Sequence, residues 1–230
     1  MSLVVDKLSH RYGAVQAVQD ASFTAAAGQI TCVMGRNGVG KTTLLRSLMG
    51  QLKATGSVRL HDTEIGGLPA HRRAKLGLAL VPQGREIFPK LTVEENLLVG
   101  LAARSDGQRS VPEVAYETFP ILRDFRRRMG GDLSGGQQQQ LAIARAMVGD
   151  PKALLLDEPT EGIQPNIIQE IGRVLRRLAG QGLAIVLVEQ YLDFVREIGD
   201  RFAIMERGQI VAAGATSELS QEIVQKHLNV

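Results

Sequence analysis

The stretch that most restricts this chain is residues 35–43, GRNGVGKTT. It matches the phosphate-loop pattern G-x-x-x-x-G-K-[ST] at every fixed position. The preceding residues 30–34 are apolar and rich in β-branched side chains, as in a buried strand. The following residues 44–49 have helical spacing and end at Gly50. The sequence therefore predicts the strand–loop–helix unit that this pattern requires, and with it a nucleotide-binding site.

Each part of this loop has a task in holding phosphate. Its glycines let successive backbone N–H groups converge on an anion, at the positive end of the following helix. Lys41 is expected to reach the β- and γ-phosphates, and the hydroxyl of Thr42 is expected to bind Mg2+. The predicted nucleotide-binding residues of the loop are Gly35, Arg36, Asn37, Gly38, Val39, Gly40, Lys41, Thr42 and Thr43.

The composition is that of one ordinary globular domain. A chain of 230 residues can bury a substantial core, and 44% hydrophobic with 22% charged residues is typical of such domains. We therefore expect residues 1–230 to form a single domain. The net charge of +3 is only mildly basic, and we expect no nucleic-acid partner. Cys32 is the only cysteine, so no intrachain disulfide can form, and its apolar surroundings indicate core packing.

No stretch has the features of a targeting or membrane-spanning segment. Residues 1–6 lack the basic and apolar regions of a signal peptide. No apolar run approaches the ~20 residues needed to cross a bilayer. We therefore expect a cytoplasmic protein that reaches a membrane only by docking on another chain.

Alternating β-like and helical segments predict an α/β fold. Residues 2–27 have the pattern of antiparallel strands. A helical lobe is predicted at about 88–150, inserted in the α/β core, because the strand signal disappears after Thr92, which begins a capping box. Within this lobe one helix is predicted over 112–123. The alternation then resumes up to a final helix at about 218–227, so we expect a mostly parallel sheet covered on both faces.

Two further segments carry phosphate chemistry. Asp157 and Glu158 follow an apolar strand, at the end where open α/β sheets place their ligands. Asp157 is expected to hold Mg2+, and Glu158 to orient and deprotonate the attacking water. Residues 133–137, LSGGQ, place a serine and two glycines at the start of a helix, which forms a second anion-binding site. One nucleotide needs one such site, so the second favours a nucleotide held by another chain.

Together these motifs resemble the nucleotide-binding subunits of ATP-binding-cassette transporters, over essentially the whole chain. The resemblance implies a P-loop NTPase core of the RecA-like type, an antiparallel β subdomain and a helical signature subdomain. It implies that Gln83 touches Mg2+ and couples to the permease, and that Tyr12 stacks on adenine. The signature residues implied to bind the partner's nucleotide are Ser134, Gly135, Gly136 and Gln137.

The same resemblance implies partners. They are transmembrane permease subunits, a second ATPase subunit in a head-to-tail dimer, and indirectly a substrate-binding protein outside the membrane. ATP and Mg2+ are the implied cofactors. The chain is then expected on the inner face of the cell membrane, held there by the permease.

Two positions depart from the common family pattern. Gln190 stands where a histidine is usual, and the loop 161–164 reads EGIQ, without the usual aspartate. Gln190 is expected to donate a hydrogen bond to the γ-phosphate without a positive charge, which predicts slower turnover. The strand that follows Glu158 in the sequence ends in Val-Glu-Gln at 188–190, which is similar to the corresponding strand end in one subunit of the branched-chain amino acid and amide importers. Residues 82–89 and 161–165 are most similar to the second ATPase subunit of urea importers, so urea is favoured, with branched-chain amino acids as the alternative.

The sequence leaves some alternative functions and two surface assignments open. A non-transport ATPase of the same superfamily is the runner-up, but the chain has no long coiled coil and no second cassette. A small-molecule kinase would have no use for residues 133–137. Phe88, Pro89 and Leu91 fit either a groove for a permease helix or packing between lobes. Residues 126–128, three arginines, fit either a solvated helix end or a contact with anionic lipid or nucleic acid.

Overall fold

The computed structural model describes residues 2–228. Its strands are β1 (Ser2–Tyr12), β2 (Val15–Ala26), β3 (Ile30–Met34), β4 (Thr55–Leu60), β5 (Thr63–Glu64), β6 (Leu78–Val81), β7 (Ala153–Asp157), β8 (Ala184–Val188), β9 (Arg201–Glu206) and β10 (Gln209–Ala215). Its α-helices are α1 (Lys41–Met49), α2 (Ala70–Lys75), α3 (Val93–Gly100), α4 (Glu113–Thr118), α5 (Ile121–Asp124), α6 (Gly135–Val148), α7 (Pro165–Gly180), α8 (Leu192–Ile198) and α9 (Gln221–His227). Short 3-10 turns occupy Leu101–Ala103, Gly130–Asp132 and Thr216–Glu218.

Within this part of the chain the strands form two sheets. An antiparallel four-stranded sheet has the order β2-β1-β4-β5, and a six-stranded sheet has the order β10-β9-β3-β8-β7-β6. Neighbours from β9 to β6 pair in parallel, and only the β9–β10 hairpin is antiparallel. The predicted α/β fold, with an antiparallel β subdomain ahead of a mostly parallel sheet, is confirmed.

The parallel sheet is covered on both faces, and every residue of its central strands β3, β7 and β8 is buried. Cys32 points into the layer covered by α6, α7 and α8, as the prediction of core packing requires. Val33 points to the opposite layer, which is closed by α1 and the antiparallel sheet. Continuous burial of this kind is the usual state of strands in parallel sheets. The sheet therefore presents its chemistry only at its edge, beyond the carboxyl ends of the strands.

Helices α3 to α6 are inserted between the neighbouring strands β6 and β7. Thr92 caps α3 in a capping box with Glu95, as predicted. The prediction of one helix over 112–123 is wrong, since α4 ends at Thr118 and α5 begins after Pro120. The residue before a proline is excluded from the α region by the proline ring, and Phe119 is accordingly extended and buried.

The final helix also begins later than predicted. Ser220 caps α9, its hydroxyl accepting the N–H of Ile223 at 3.3 Å, so the helix starts at Gln221 rather than near 218. The cap explains the shift, because a serine at this position satisfies a backbone donor that the first turn leaves free. No helix among residues 2–228 has the length and apolar character to cross a membrane.

Candidate functional site

The phosphate loop joins the end of β3 to the start of α1. Gly40 precedes α1 with φ of 108°, a backbone conformation that residues other than glycine rarely adopt. A Cβ at Gly40 would collide with the carbonyl oxygen of Ala17, and one at Gly35 with that of Met205. The glycines are therefore needed for close packing of the loop against β2 and β9 as well as for its turns.

Lys41 lies in the first turn of α1 and is 5% exposed. Its Nζ donates to the carbonyl oxygens of Gly35 at 2.8 Å and Arg36 at 3.0 Å. Burial lowers the pKa of Lys41, and the negative charge of Glu158 opposes that shift. The carbonyl groups of the loop thus hold the Lys41 ammonium over the same loop that is expected to bind phosphate.

The carboxylates predicted at the end of β7 have different surroundings. Asp157 is 3% exposed, and burial raises its pKa although a hydrogen bond from Thr42 opposes this. One of its oxygens, Oδ1, has no hydrogen-bond partner among the described residues. Glu158 turns out of the strand in the left-handed region at φ of 46°, and its N–H bonds to the carbonyl of Val188 at 3.0 Å.

Three side chains surround the Glu158 carboxylate. Its Oε1 lies 3.6 Å from Lys41 Nζ and accepts from Gln190 Nε2 at 2.5 Å. Its Oε2 accepts from Gln83 Nε2 at 3.3 Å, and Gln83 also donates to Glu161 at 3.0 Å. Residues from the loop, from two strand ends and from the segment after β6 therefore meet at one carboxylate.

A cavity of about 750 Å³ lies over this cluster. Its lining residues are Tyr12, Ala17, Asn37, Gly38, Gly40, Lys41, Thr42, Thr43, Gln83, Glu158, Thr160, Glu161, Glu189, Gln190 and Tyr191. Tyr12 is 49% exposed, and the ring of His10 packs edge-on against it with centroids 4.5 Å apart. Gly35 and Arg36 line a neighbouring cavity instead, and Val39 packs against the core below the loop.

The predicted signature lies elsewhere. Ser134 caps α6, its hydroxyl accepting from the N–H of Gln137, while the Gln137 side chain accepts from the N–H of Ser134 at 3.0 Å. The first-turn N–H groups of Gly135 and Gly136 have no intrahelical acceptors, as at any helix start. None of residues 133–137 is among those that line the cavity over Lys41. The two anion-binding elements of this chain therefore do not share one cavity.

The sequence reasoning assigned no role to Glu189, which is 2% exposed. Its carboxylate accepts two hydrogen bonds from Thr160, one from the N–H at 3.2 Å and one from the hydroxyl at 2.6 Å. It also accepts from the N–H groups of Gln190 at 3.0 Å and Tyr191 at 3.3 Å. Burial raises its pKa, and these hydrogen bonds oppose the shift. Glu189 thus ties the loop after β7 to the loop after β8. The available signal was a charged residue directly after a fully apolar strand.

Comparisons with known proteins agree on the family. The model of the ABC transporter family matches residues 18–161. The chain is 42% identical over 212 residues to the high-affinity branched-chain amino acid transport ATP-binding protein BraG of Pseudomonas aeruginosa, covering 91% of each chain. It is 38% identical to the probable branched-chain amino acid transport ATP-binding protein LivF of Archaeoglobus fulgidus, covering 93% of this chain and 92% of that one.

Solved structures agree as well. The nucleotide-free ATP-binding cassette of an ABC transporter superposes with a TM-score of 0.84 at 27% identity, covering 100% of this chain and 96% of the other. MJ1267 in its ADP conformation, another such cassette, has a TM-score of 0.81 at 28% identity, with coverage of 94% and 91%. The chain belongs to the ABC transporter family and is an ATP-binding cassette that binds and hydrolyses ATP.

Proposed function

We propose that this chain is an ATPase subunit of an importer for small polar solutes of the branched-chain amino acid and amide group. The observation that carries the ATPase part is the meeting of Lys41 and Glu158, 3.6 Å apart, at one cavity between the phosphate loop and the strand ends. A cation for phosphate and a carboxylate for water are the two groups that phosphoryl transfer to water needs side by side.

The residues assigned to ATP fit it by position. The loop residues that line the cavity, Asn37, Gly38 and residues 40–43, surround the phosphates, and Tyr12 at the exposed rim stacks on adenine. Glu158 acts as general base on the attacking water, which Gln190 helps to align. The proton of that water passes to Glu158 Oε1 or Oε2 as its oxygen bonds to the γ-phosphorus. The bond between that phosphorus and the β,γ-bridging oxygen breaks, and ADP leaves with the bonding electron pair.

The donors present also fit magnesium. Asp157 offers a buried carboxylate oxygen without a partner, and Thr42 and Gln83 offer a hydroxyl and an amide oxygen. No group of three or more His, Cys, Asp or Glu side chains within residues 2–228 could hold a metal alone. Magnesium commonly combines one or two protein oxygens with those of phosphate, so the ion belongs with the nucleotide. When bound, it would neutralise charge that develops on the phosphates.

A second chain completes the site. The signature residues Ser134, Gly135, Gly136 and Gln137 do not line the cavity of their own chain, so they serve a nucleotide bound by another. MJ0796, a bacterial ABC transporter cassette with 25% identity and a TM-score of 0.82, has been solved as a dimer. We infer a single-domain cassette, with its helical lobe at 88–150, that pairs with a second ATPase subunit under membrane permease subunits and works with a substrate-binding protein.

The solute has two candidates. The BraG and LivF relatives are named for branched-chain amino acid transport, and they favour that alternative over urea. Urea remains the second candidate because residues 82–89 and 161–165 resemble the second ATPase subunit of urea importers. The LptB protein of Escherichia coli, named for lipopolysaccharide export, is more distant at 32% identity.

The test is uptake of labelled leucine and labelled urea by cells that lack the gene. Complementation with the native gene should restore the missing uptake, and complementation with Glu158→Gln should not. Loss of leucine uptake alone supports the first candidate, and loss of urea uptake alone supports the second. Normal uptake of both solutes would contradict the proposed importer function.

A further inference from the structure

Gln190 connects the catalytic carboxylate to the phosphate loop. Its Nε2 lies 2.5 Å from Glu158 Oε1 and 2.6 Å from Asn37 Oδ1. Asn37 is the third residue of the loop, and its side chain lies at the surface of the cavity. The three side chains come from three segments that only the fold brings together.

The orientation of both amides follows from the carboxylate. An ionised carboxylate only accepts hydrogen bonds, so the atom of Gln190 that faces Glu158 must be its nitrogen. The same nitrogen faces Asn37, so the facing atom of Asn37 must be its oxygen, since two NH2 groups would repel each other. The hydrogen bonds therefore run from Gln190 to Glu158 on one side and to Asn37 on the other.

This arrangement uses both hydrogens of the Gln190 amide. A primary amide nitrogen has two hydrogens, and each of them points to one acceptor here. The backbone of Gln190 is held as well, because its N–H bonds to the buried Glu189 at 3.0 Å. Gln190 therefore has no amide hydrogen left for a γ-phosphate unless one of these bonds breaks.

We propose that Asn37 is a positioning residue that holds the general base Glu158 through Gln190. This inference rests on the proposed ATPase mechanism and deepens it. In this proposal Gln190 orients the carboxylate, whereas the sequence led us to expect a hydrogen bond from it to the γ-phosphate. The side chain of Asn37 thereby links the nucleotide-holding loop to the base that attacks the nucleotide.

The first test separates turnover from ATP binding. Loss of one hydrogen bond in Asn37→Ala should lower kcat about threefold to tenfold, with the KM for ATP changed less than twofold. Asn37→Asp keeps the acceptor oxygen, so its kcat should exceed that of Asn37→Ala, while its added negative charge raises KM. Gln181→Ala, at an exposed glutamine directly after α7, serves as the control. A native kcat in Asn37→Ala would overturn the inference.

The second test asks whether Gln190 and Asn37 act through one group. The kcat of Asn37→Ala combined with Gln190→Ala should match that of Gln190→Ala alone, because the second change removes a bond already lost. When Gln190→Ala is added to Glu158→Gln, the ratio of ATP affinity to ADP affinity should stay within twofold of its value in Glu158→Gln alone. A selective loss of ATP affinity there would show a γ-phosphate contact and overturn the inference.

All measurements use the full chain at several protein concentrations, so that association between chains is included. Thermal unfolding of each variant shows whether it folds. The uptake test of the importer proposal has a separate readout. Normal uptake of both solutes would remove the importer function, whereas equal kcat values for native protein and Asn37→Ala would remove only the role of Asn37.

Discussion

Glu158 has a strained backbone conformation and is held in place by four surrounding groups. Its φ of 46° is uncommon for a residue other than glycine and costs about 1–3 kcal/mol, which the surrounding contacts must offset. The bond from its N–H to Val188 fixes the backbone, and Lys41, Gln190 and Gln83 fix the carboxylate. Such conformations occur at functional sites because the fold enforces them there.

Replacing this residue gives the first prediction. Glu158→Gln keeps the shape of the side chain but removes the proposed base, so ATP hydrolysis should fall at least about 100-fold. ATP binding should persist, because the phosphate loop is untouched. Sedimentation with Mg-ATP should then show an ATP-dependent dimer, alone or with the partner ATPase. Glu197→Gln on the exposed side of α8 is the control. Unchanged sedimentation on adding ATP would contradict the shared site.

Glu189 gives a prediction about pH. Burial raises its pKa above the ordinary 4.5, so the folded protein binds a proton that the unfolded chain releases. The contribution of Glu189 to the free energy of unfolding therefore falls as pH rises from about 4.5 to the raised pKa. Glu189→Gln lacks this titration. The free energy of unfolding of each protein is measured by urea denaturation. The native value minus the Glu189→Gln value should decrease over that pH range, and a constant difference would contradict the prediction.

At the scale of elements, α6 joins the signature to the segment after β6. Residues 84–86 all have positive φ, and the carbonyls of Arg85 and Glu86 face α6. Arg145 of α6 donates to the carbonyl of Arg85 at 3.3 Å and that of Glu86 at 2.9 Å, and its guanidinium lies 5.3 Å from the ring centroid of Phe88. One helix therefore carries the signature at its start and holds the Gln83 segment farther along.

Arg145→Ala tests this connection. Loss of hydrogen bonds from a charged, half-buried group should lower the free energy of unfolding by about 1–3 kcal/mol. Hydrogen exchange in residues 84–88 should become faster, since two left-handed residues lose their support. Arg196→Ala on α8 is an exposed arginine and should change neither quantity. Native exchange rates at 84–88 in Arg145→Ala would show that other contacts hold the segment.

At the scale of the whole molecule, we expect hydrolysis to need two chains. The phosphate loop faces one cavity, and Ser134 at the start of α6 is exposed outside it. A dimer that pairs unlike surfaces can close head to tail around two equivalent sites. ATP turnover per chain should therefore rise with protein concentration for the chain alone.

A mixing experiment makes this prediction sharper. Lys41→Ala disables the phosphate loop but leaves the signature, whereas Ser134→Glu places a negative charge where the partner's phosphate would bind. Each variant alone should be nearly inactive. Their mixture should regain activity, because one site of each mixed dimer contains an intact loop and an intact signature. Turnover per chain that stays constant on dilution, with no recovery on mixing, would contradict a shared site.

Local chemistry explains what could be predicted. The strand Ile30–Met34, the helix end at Gly50 and the cap at Thr92 are all specified by neighbouring residues, and the structure contains each of them. The break at Pro120 was also local, yet the helical pattern around it concealed it. The nucleotide roles of Lys41 and of the signature remain predictions, since they concern a ligand and a second chain.

The sequence by itself determined the ATPase family, the α/β fold and the residue types available for phosphate chemistry. Only the tertiary structure decided which of them meet. Gln83 and Glu158 are 75 positions apart, and Gln190 and Asn37 are 153 positions apart, yet each pair forms a hydrogen bond. No local pattern encodes such contacts, because they arise where parallel strands from distant parts of the chain end at the same edge of one sheet.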